Sequence, residues 1–387
     1  MEKMFFVMMA FLVSVLMSWV TIPRIVIISK IKRLFDTPDD RKSHTEAIPR
    51  LGGISFFPIT MFSFSLMLGL RYYNGLEVPF AMEGVMLTEF FFMTAGMFMI
   101  FFVGLGDDLV GISYRYKFLV QITSAVTLAY AGLSFDNLYG LFGVHQIPEW
   151  LGAVITLIFT VFVVNAFNLL DGVDGLCSGI STIILSLLGC WYIYMELYVY
   201  AMLAFSMVGV VLVFFQYNVL GKRLKIFMGD TGSLTLGYAV VFLLLKFLKI
   251  ETAADPDVYH INNSLAILIG LLFVPMFDTL RVALSRMTRG KSPFEPDQTH
   301  MHHKLLHMGF SHLQSTAILL VAEILFITLN IILSEVIGLN ISIIVATDLV
   351  LGISLNFIMN SFAYYHYEPK SQRDANAEQK ENANESK

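Results

Sequence analysis

Long apolar stretches recur along the whole chain, separated by short polar connections. Most are about 15 to 25 residues long, enough to cross the roughly 30 Å hydrocarbon core of a bilayer as an α-helix. In lipid, a helix satisfies its own backbone hydrogen bonds, and the alternating pattern of a membrane β-barrel is absent. The pattern therefore predicts an all-α, multi-pass membrane protein. Eleven spans are predicted, at 4–29, 51–70, 85–104, 116–133, 150–164, 176–195, 199–217, 232–248, 263–283, 314–336 and 341–364.

Ten spans is the alternative, because the fifth stretch is short and the connection at Glu196 is tight. Composition agrees with a membrane protein: 56% of the 387 residues are apolar and 14% are charged, whereas soluble domains carry roughly a quarter charged residues. Residues 1–367 are predicted to form one transmembrane catalytic domain. Residues 368–387 lack an apolar period and are predicted to be a disordered cytoplasmic tail.

The distribution of basic residues predicts the orientation. If the N-terminus lies outside, 20 of the 25 Lys and Arg residues fall on one side of the membrane. An excess of Lys and Arg is typical of the cytoplasmic side. We therefore expect the loops at 30–50, 105–116, 165–175, 218–231 and 284–313, and the C-terminus, to be cytoplasmic.

Every unusual polar segment falls on this basic side. The first, before the second span, contains Asp36, Asp39, Asp40, Arg41, Lys42, His44 and the run 49–53. Taken alone, it is also explained as a solvated basic loop.

The second polar segment holds the adjacent carboxylates Asp107 and Asp108, with Lys117 at the start of the fourth span. Adjacent carboxylates at a membrane surface need a neutralising charge, which Mg²⁺ with a phosphate ligand supplies; a plain turn is the alternative.

The third polar segment lies between the fifth and sixth spans. Asn165, Asn168 and Asp171 are three residues apart and are expected on one face of a helix end, with Asp174 close behind. Four polar side chains in this arrangement are hard to explain by packing. The fourth segment is a Gly-Asp-Thr-Gly-Ser turn around Asp230, where free N–H groups at a helix N-terminus would bind phosphate. An ordinary helix cap is the alternative interpretation.

The fifth segment is a long basic loop before the tenth span. It contains Arg286, Arg289, Lys291, Asp297, His300, His302, His303 and Lys304. Zinc binding is disfavoured because no fourth ligand stands at a familiar spacing. Imidazole and guanidinium groups that face acidic clusters are more typical of a clamp for diphosphate charge, and a solvated basic loop is the alternative.

These five ordered motifs, from about residue 36 to residue 312, resemble the polyprenyl-phosphate N-acetylhexosamine-1-phosphate transferase family. Within it, the chain is most similar to the bacterial undecaprenyl-phosphate N-acetylglucosamine-1-phosphate transferases. It is less similar to the phospho-MurNAc-pentapeptide translocases, which usually have three consecutive histidines where this chain has His-Met-His-His. The resemblance implies transfer of a sugar 1-phosphate from a UDP-sugar to a lipid phosphate, with release of UMP.

The resemblance also implies roles for the matching residues. Catalytic roles fall to Asp107, Asp108, Asp171 and Asp174; phosphate binding to Lys117, His300, His302 and His303; metal binding to Asp230 and Asn168. Arg289 of the basic loop is a further predicted phosphate ligand, on its charge alone. The implied metal is Mg²⁺, with Mn²⁺ as a substitute. The expected partners are the UDP-sugar, undecaprenyl phosphate, the bilayer of a bacterial inner membrane and a second copy of the chain, without nucleic acid.

Two alternatives remain open from the sequence. The transferred sugar could be N-acetylgalactosamine, a deoxy-aminosugar or MurNAc-pentapeptide instead of N-acetylglucosamine. An ion-coupled transporter also needs acidic residues among many helices. Transporter carboxylates, however, lie near the bilayer midplane, whereas those of this chain are predicted at the ends of spans.

Overall fold

A computed structural model describes residues 2–32, 34–36, 48–76, 80–221, 223–253, 261–292 and 299–366. The described chain is mostly α-helical. The helices are α1 Glu2–Lys32, α2 Phe56–Tyr73, α3 Phe80–Val110, α4 Tyr114–Tyr130, α5 Glu149–Leu170, α6 Leu176–Tyr194, α7 Tyr198–Phe215, α8 Gly229–Ala253, α9 Ser264–Leu271, α10 Phe273–Thr288, α11 Met301–His307, α12 His312–Ile331 and α13 Ile341–His366. A 3₁₀ turn, Gly52–Ser55, precedes α2, and π-helical turns extend α7 and α12.

Two short antiparallel ribbons lie outside the long helices. Strand β1, Phe35–Asp36, pairs with β2, Ile48–Pro49. Strand β3, Asn137–Leu141, pairs with β4, Val144–Gln146, between α4 and α5. Neither ribbon interrupts a predicted span, so the architecture is a multi-pass helical membrane protein.

Among the described residues, nine helical segments are long and apolar enough to cross a membrane, or ten if the bent pair α9 and α10 counts as one span. A helix lies at each of the eleven predicted spans, but the fourth, α4, has only 17 residues and is not one of these segments. Polar Gln121 and Ser124 of α4 are buried against the bundle. The span number and the orientation therefore stay predictions.

Helix α8 lies at the centre of the bundle. It packs against α2, α3, α5, α6 and α9, and 83% of its apolar stretch is buried, compared with 22% in α13. A helix that is apolar all around its surface is typical of such an enclosed position. The polar turn that begins α8 therefore lies among several packed helices.

The predicted span 263–283 is not one straight helix. It consists of α9 and α10, which are bent by 72° at Leu272. Pro275 lies in the first turn of α10, where its missing N–H group is tolerated. The backbone N–H of Val274 donates to Glu323 Oε2 of α12 at 2.8 Å, so a buried carboxyl group caps the second half. The bend aims α10 towards the polar end of the bundle.

Several sequence predictions concern residues outside the described ranges. They are the disordered tail at 368–387 and the polar residues Asp39, Asp40, Arg41, Lys42, His44 and Asp297.

Candidate active site

Lys117 joins two carboxylates that are distant in the sequence. Its Nζ atom lies 2.6 Å from Asp230 Oδ2 and 3.1 Å from Asp107 Oδ2. The three side chains are mostly but not fully buried, at 22%, 16% and 13% exposure respectively. The structure thus brings α3, α4 and the start of α8 together around one ammonium group, as the sequence motifs predict.

Asp108 has a different position from its neighbour Asp107. Its side chain is fully buried and accepts from the backbone N–H groups of Asp230 and Thr231, each at 2.9 Å, and from Thr231 Oγ1 at 2.6 Å. Asp108 therefore caps the N-terminus of α8 from another helix, a favourable place for a carboxylate. Asp108 thus holds Asp230 in place, and its catalytic role stays a prediction.

Asp171 holds the same turn from the opposite side. Its Oδ2 atom accepts from the N–H of Gly229 at 3.1 Å, and Gly229 has the positive φ of 74° that glycine favours. Withdrawal from water and the nearby charges of Asp230 and Asp108 raise the pKa of Asp171 well above its usual range. A positive ion bound here would lower it again.

These contacts correct one prediction. The N–H groups of Gly229, Asp230 and Thr231 donate to protein carboxylates, so they are not offered to a substrate phosphate. The turn is a helix cap, which was the alternative interpretation. The sequence could not show this, because the capping carboxylates come from α3 and from the end of α5.

Arg50 contributes a second cation that the sequence reading did not assign to the site. Its Nη2 atom lies 3.5 Å from Asp108 Oδ1 and 4.0 Å from Asp230 Oδ1. The adjacent backbone is bound to the chain before α8: Gly53 N donates to Met228 O at 2.8 Å, and Phe227 N donates to Pro49 O at 2.7 Å. We call Asp107, Asp108, Asp171, Asp230, Lys117 and Arg50 the acidic cluster; it has four carboxyl groups and two cations.

The close approach of these segments depends on glycine. A Cβ atom at Gly53 would lie 2.1 Å from the backbone nitrogen of Gly232, and one at Gly104 would lie 2.6 Å from Thr231 Cα. Contacts this short do not occur in proteins, so larger side chains would push α8 away. The backbone, and not only the charged groups, positions Asp230.

The two asparagines at the end of α5 have different partners. Asn168 Nδ2 donates to Ser233 Oγ at 3.0 Å, and Asn168 also interacts with the Asp230 carboxylate. Asn165 Nδ2 instead donates to Gln121 Oε1 of α4 at 2.6 Å. Asn168 thus lies beside the acidic cluster, while Asn165 fastens α5 to α4.

Asp174 lies in the loop between α5 and α6 and forms a separate ion pair. Its Oδ2 atom is 2.6 Å from Lys225 Nζ and 3.4 Å from His312 Nδ1, and its backbone oxygen accepts from Thr316 Oγ1 at 2.7 Å. These contacts join the loop after α5 to α12 and to the segment before α8. Asp174 therefore fixes the loop after α5, apart from the acidic cluster, and its catalytic role stays a prediction.

The histidine segment, residues 300–303, packs against that loop. A Cβ atom at Gly172 would come within 2.9 Å of His302 Nε2. His300 and His302 are buried and their rings are parallel, with centroids 5.6 Å apart. Burial lowers the pKa of His302 to about 3, so it is neutral at pH 7 and can bind phosphate only as a hydrogen-bond donor.

The remaining predicted phosphate ligands are less closely gathered. His303 lies 4.3 Å from His302, centroid to centroid. Arg289 is exposed at the end of α10, whereas Arg286, one turn earlier, is buried. The phosphate-binding role of Arg289 stays a prediction.

The donor set fits a hard divalent cation. Within the described ranges, no three or more His, Cys, Asp or Glu side chains form a ready-made metal cage. Mg²⁺ rarely uses such a cage, because it keeps several waters and binds one or two carboxylates plus substrate phosphates. The carboxylates of Asp230 and Asp107 and the amide oxygen of Asn168 are the right atoms, and the surplus of acid over base leaves charge to be neutralised.

Comparison with known proteins points to one family. The family model of glycosyl transferase family 4 matches residues 90–248, which run from α3 to α8 and contain most of the acidic cluster. The chain is 31% identical, over 84% of each chain, to the probable undecaprenyl-phosphate N-acetylglucosaminyl 1-phosphate transferase of Bacillus subtilis (strain 168).

Two further relatives have a similar name. The chain is 30% identical to the undecaprenyl-phosphate alpha-N-acetylglucosaminyl 1-phosphate transferase of Yersinia pestis and 29% identical to that of Escherichia coli (strain K12). Each match covers 77% of this chain and 76% of the relative. The similarity thus spans most of the bundle.

Proposed function

The chain belongs to glycosyl transferase family 4, and we propose that it transfers N-acetylglucosamine 1-phosphate from UDP-GlcNAc to undecaprenyl phosphate. An oxygen of the lipid phosphate attacks the sugar-proximal phosphorus of UDP-GlcNAc, and the bond from that phosphorus to the UMP oxygen breaks. UMP leaves, and the product is a lipid diphosphate sugar. One phosphoanhydride bond replaces another, so the reaction needs no other energy source.

The observation that carries this proposal is the acidic cluster itself. Four carboxyl groups meet two cations at the buried start of α8. A surplus of negative charge is costly in a site of low dielectric unless a cation arrives with the substrate. A donor that enters as a complex of diphosphate and Mg²⁺ supplies that cation, which supports phosphoryl transfer over transport.

Asp230, Asn168 and Asp107 would hold the Mg²⁺, and Mn²⁺ would substitute for it. When bound, the metal neutralises diphosphate charge and makes the phosphorus easier to attack. Lys117 lies between the same carboxylates and can turn its remaining N–H groups to a phosphate oxygen. His302 adds a neutral donor, and Arg50 a second charge. Together they bring two anions close, which is the main barrier to the reaction.

Asp107 serves this reaction chiefly by position. Its Oδ1 atom accepts from Ile112 N at 2.7 Å, and its Oδ2 atom faces Lys117 at 3.1 Å. A phosphate monoester has its second pKa near 6, so most of the lipid phosphate is already a dianion at pH 7. Asp107 therefore orients Lys117, and proton removal contributes little. The pH profile of Asp107→Asn tests this: a defect that disappears above the phosphate pKa would instead show a base.

The location follows from the same chemistry. UDP-sugars are water-soluble and are made inside cells, and undecaprenyl phosphate lies in the bilayer. We place the protein in the bacterial inner membrane, with the acidic cluster at the cytoplasmic surface. The basic loops around that end of the bundle support this orientation.

The test is an assay of the purified full chain in detergent with undecaprenyl phosphate and Mg²⁺. UDP-GlcNAc, UDP-GalNAc, a UDP-deoxy-aminosugar and UDP-MurNAc-pentapeptide are offered separately, and the products are UMP and a lipid identified by mass. We expect the GlcNAc diphosphate lipid. A different sugar would correct the donor but keep the reaction, and no UMP from any donor would contradict the proposal.

A further inference from the structure

A second polar centre lies on α10, next to the histidine segment. Asp278 is buried, at 4% exposure, and none of the sequence motifs includes it. Its Oδ2 atom lies 2.9 Å from His300 Nδ1, and its Oδ1 atom accepts from Met301 N at 3.0 Å. One carboxylate thus binds both the ring of a histidine and the backbone beside it.

Arg281, one turn along α10, keeps that carboxylate in place. Its Nη2 atom donates to Asp278 Oδ1 at 2.7 Å and to Thr299 O at 2.6 Å. The guanidinium also supplies the positive charge that a buried carboxylate requires. Asp278 and Arg281 therefore bind the start of the histidine segment to α10.

The contact with Asp278 determines which nitrogen of His300 can bind a ligand. An ionised carboxylate only accepts, so Nδ1 of His300 must carry the proton that it shares with Asp278. The other nitrogen, Nε2, is buried and has no hydrogen-bond partner in the described part of the chain. An unpartnered nitrogen in a buried position is costly unless a ligand completes it.

The position of His300 relates that nitrogen to the reaction site. Its ring is parallel to that of His302, whose Nε2 atom rests against Gly172. Gly172 follows Asp171, which holds the first residue of α8 in the acidic cluster. His302 therefore lies against the loop that follows Asp171, and His300 stacks on His302.

We propose that Asp278 is a positioning residue for the sugar-1-phosphate transfer. It fixes His300 with Nδ1 towards α10, so that Nε2 is presented to the phosphates of the UDP-sugar. The proposal rests on the proposed function, since it assigns a phosphate donor within the same site. When Nε2 donates to a phosphate oxygen, both ring nitrogens carry a proton, and Nδ1 keeps its hydrogen bond to Asp278.

A purely structural role for Asp278 is the competing explanation. The hydrogen bond from Met301 N would order the loop whether or not His300 has an imidazole. The two explanations differ in one respect. If Asp278 acts through His300, replacing Asp278 should lower kcat/KM no further in a variant that already lacks the imidazole. If its role is structural, the loss of kcat/KM should be the same with and without the imidazole.

The experiment is a double-mutant cycle on the full chain in detergent. Wild type, Asp278→Asn, His300→Ala and the double variant are assayed for UMP release, with kcat and KM for UDP-GlcNAc measured at saturating undecaprenyl phosphate. We expect Asp278→Asn to lower kcat/KM about 10- to 100-fold, by analogy with the loss when the hydrogen-bond partner of a metal-bound histidine is removed. In the His300→Ala background, the same change should cost less than about threefold.

Two further variants complete the design. Arg281→Gln should lower kcat/KM in the same way but by less, and this loss should also vanish without the imidazole. Asp136→Asn is the matched control: Asp136 pairs with Lys249 at 2.7 Å, away from α10 and α11, and its loss should leave kcat/KM unchanged. Thermal unfolding of each variant shows whether it is folded. If Asp278→Asn is not folded, Arg281→Gln replaces it in the double-mutant cycle with His300→Ala.

Multiplicative losses in the double variant, or full activity of Asp278→Asn, would overturn the inference. In either case the wild type still produces UMP, so the proposed function stands. If wild type itself releases no UMP with any UDP-sugar, the proposed function fails first, and the cycle is not the cause.

Discussion

Helices α3 and α8 carry two ionic clusters, one near each end, and the two differ in charge balance. At one end are Asp107 and Asp230 of the acidic cluster. At the other, about 27 Å away along α3, Glu89 pairs with Lys246 at 2.7 Å and accepts from Tyr200. We call Glu89, Lys246 and Tyr200 the distal cluster.

The distal cluster is complete in itself. It has one carboxylate, one ammonium and a tyrosine, with the ammonium also 4.8 Å from the Tyr200 ring. Glu89 is 3% exposed and Lys246 12%. The acidic cluster instead has more acid than base and is more open. In a membrane bundle, an ionic cluster thus indicates a binding site when its charges do not balance and its side chains are partly exposed. The presence of charged groups alone does not.

The largest expected effect comes from Asp230→Asn. The change keeps the shape but removes a carboxylate that we assign to the metal and to Lys117. We expect UMP release to fall by about 100- to 1000-fold, the range for loss of one charge-stabilising group. Activity within tenfold of wild type would contradict the role of the acidic cluster.

The distal cluster should show the opposite behaviour under the matching change. Glu89→Gln leaves Lys246 buried without its counter-charge, which costs about 3 to 5 kcal/mol of stability. The thermal midpoint should fall, while kcat of the folded protein stays within a few fold of wild type. Adding Lys246→Met should recover much of the stability. A large loss of kcat without a loss of stability would show that the distal cluster takes part in function.

The backbone fit around α8 gives a smaller effect. In Gly53→Ala, the new methyl group would meet the nitrogen of Gly232, so α8 must shift. A displacement of about 1 Å can cost roughly 100-fold in rate, and we expect kcat/KM to fall by that order. Gly69→Ala, in α2, is the control: the new methyl group has no atom within 4 Å and should be neutral. Equal activity of both variants would refute the fit.

The smallest effect concerns pH. The pKa of His302 is lowered to about 3 in the folded protein, below the usual value near 6.5. Between these values the unfolded chain binds more protons, so the stability of the wild type is fully present above pH 6.5 and falls as pH decreases. His302→Asn should lose less stability than wild type between pH 7 and pH 5 in thermal unfolding. An identical decrease would exclude His302 as a source of the pH dependence.

The sequence predicted the helices and the acidic motifs because both are local patterns. Apolar length fixes a span, and adjacent carboxylates before a basic residue stand out in an apolar chain. The structure joins Asp107, Lys117 and Asp230 as the motifs indicated. Their catalytic and metal-binding roles stay predictions.

The features that sequence reasoning missed depend on contacts between distant segments. The N–H groups of Asp230 and Thr231 are occupied by Asp108. This could not be predicted without knowing that α3 places Asp108 opposite them. The 72° bend had one local signal, Pro275, but its cap, Glu323, belongs to α12. Asp278 belongs to none of the polar motifs, and its partner His300 lies 22 residues away in another segment, so the sequence alone did not connect them.

The most direct test of the central claim is calorimetric titration of UDP-GlcNAc into the wild type and Asp230→Asn, with Mg²⁺ or with a chelator. If the unbalanced carboxylates receive a metal–diphosphate complex, Mg²⁺ should strengthen wild-type binding by about tenfold or more, and Asp230→Asn should lose this gain. Equal affinity in all four titrations would contradict the account.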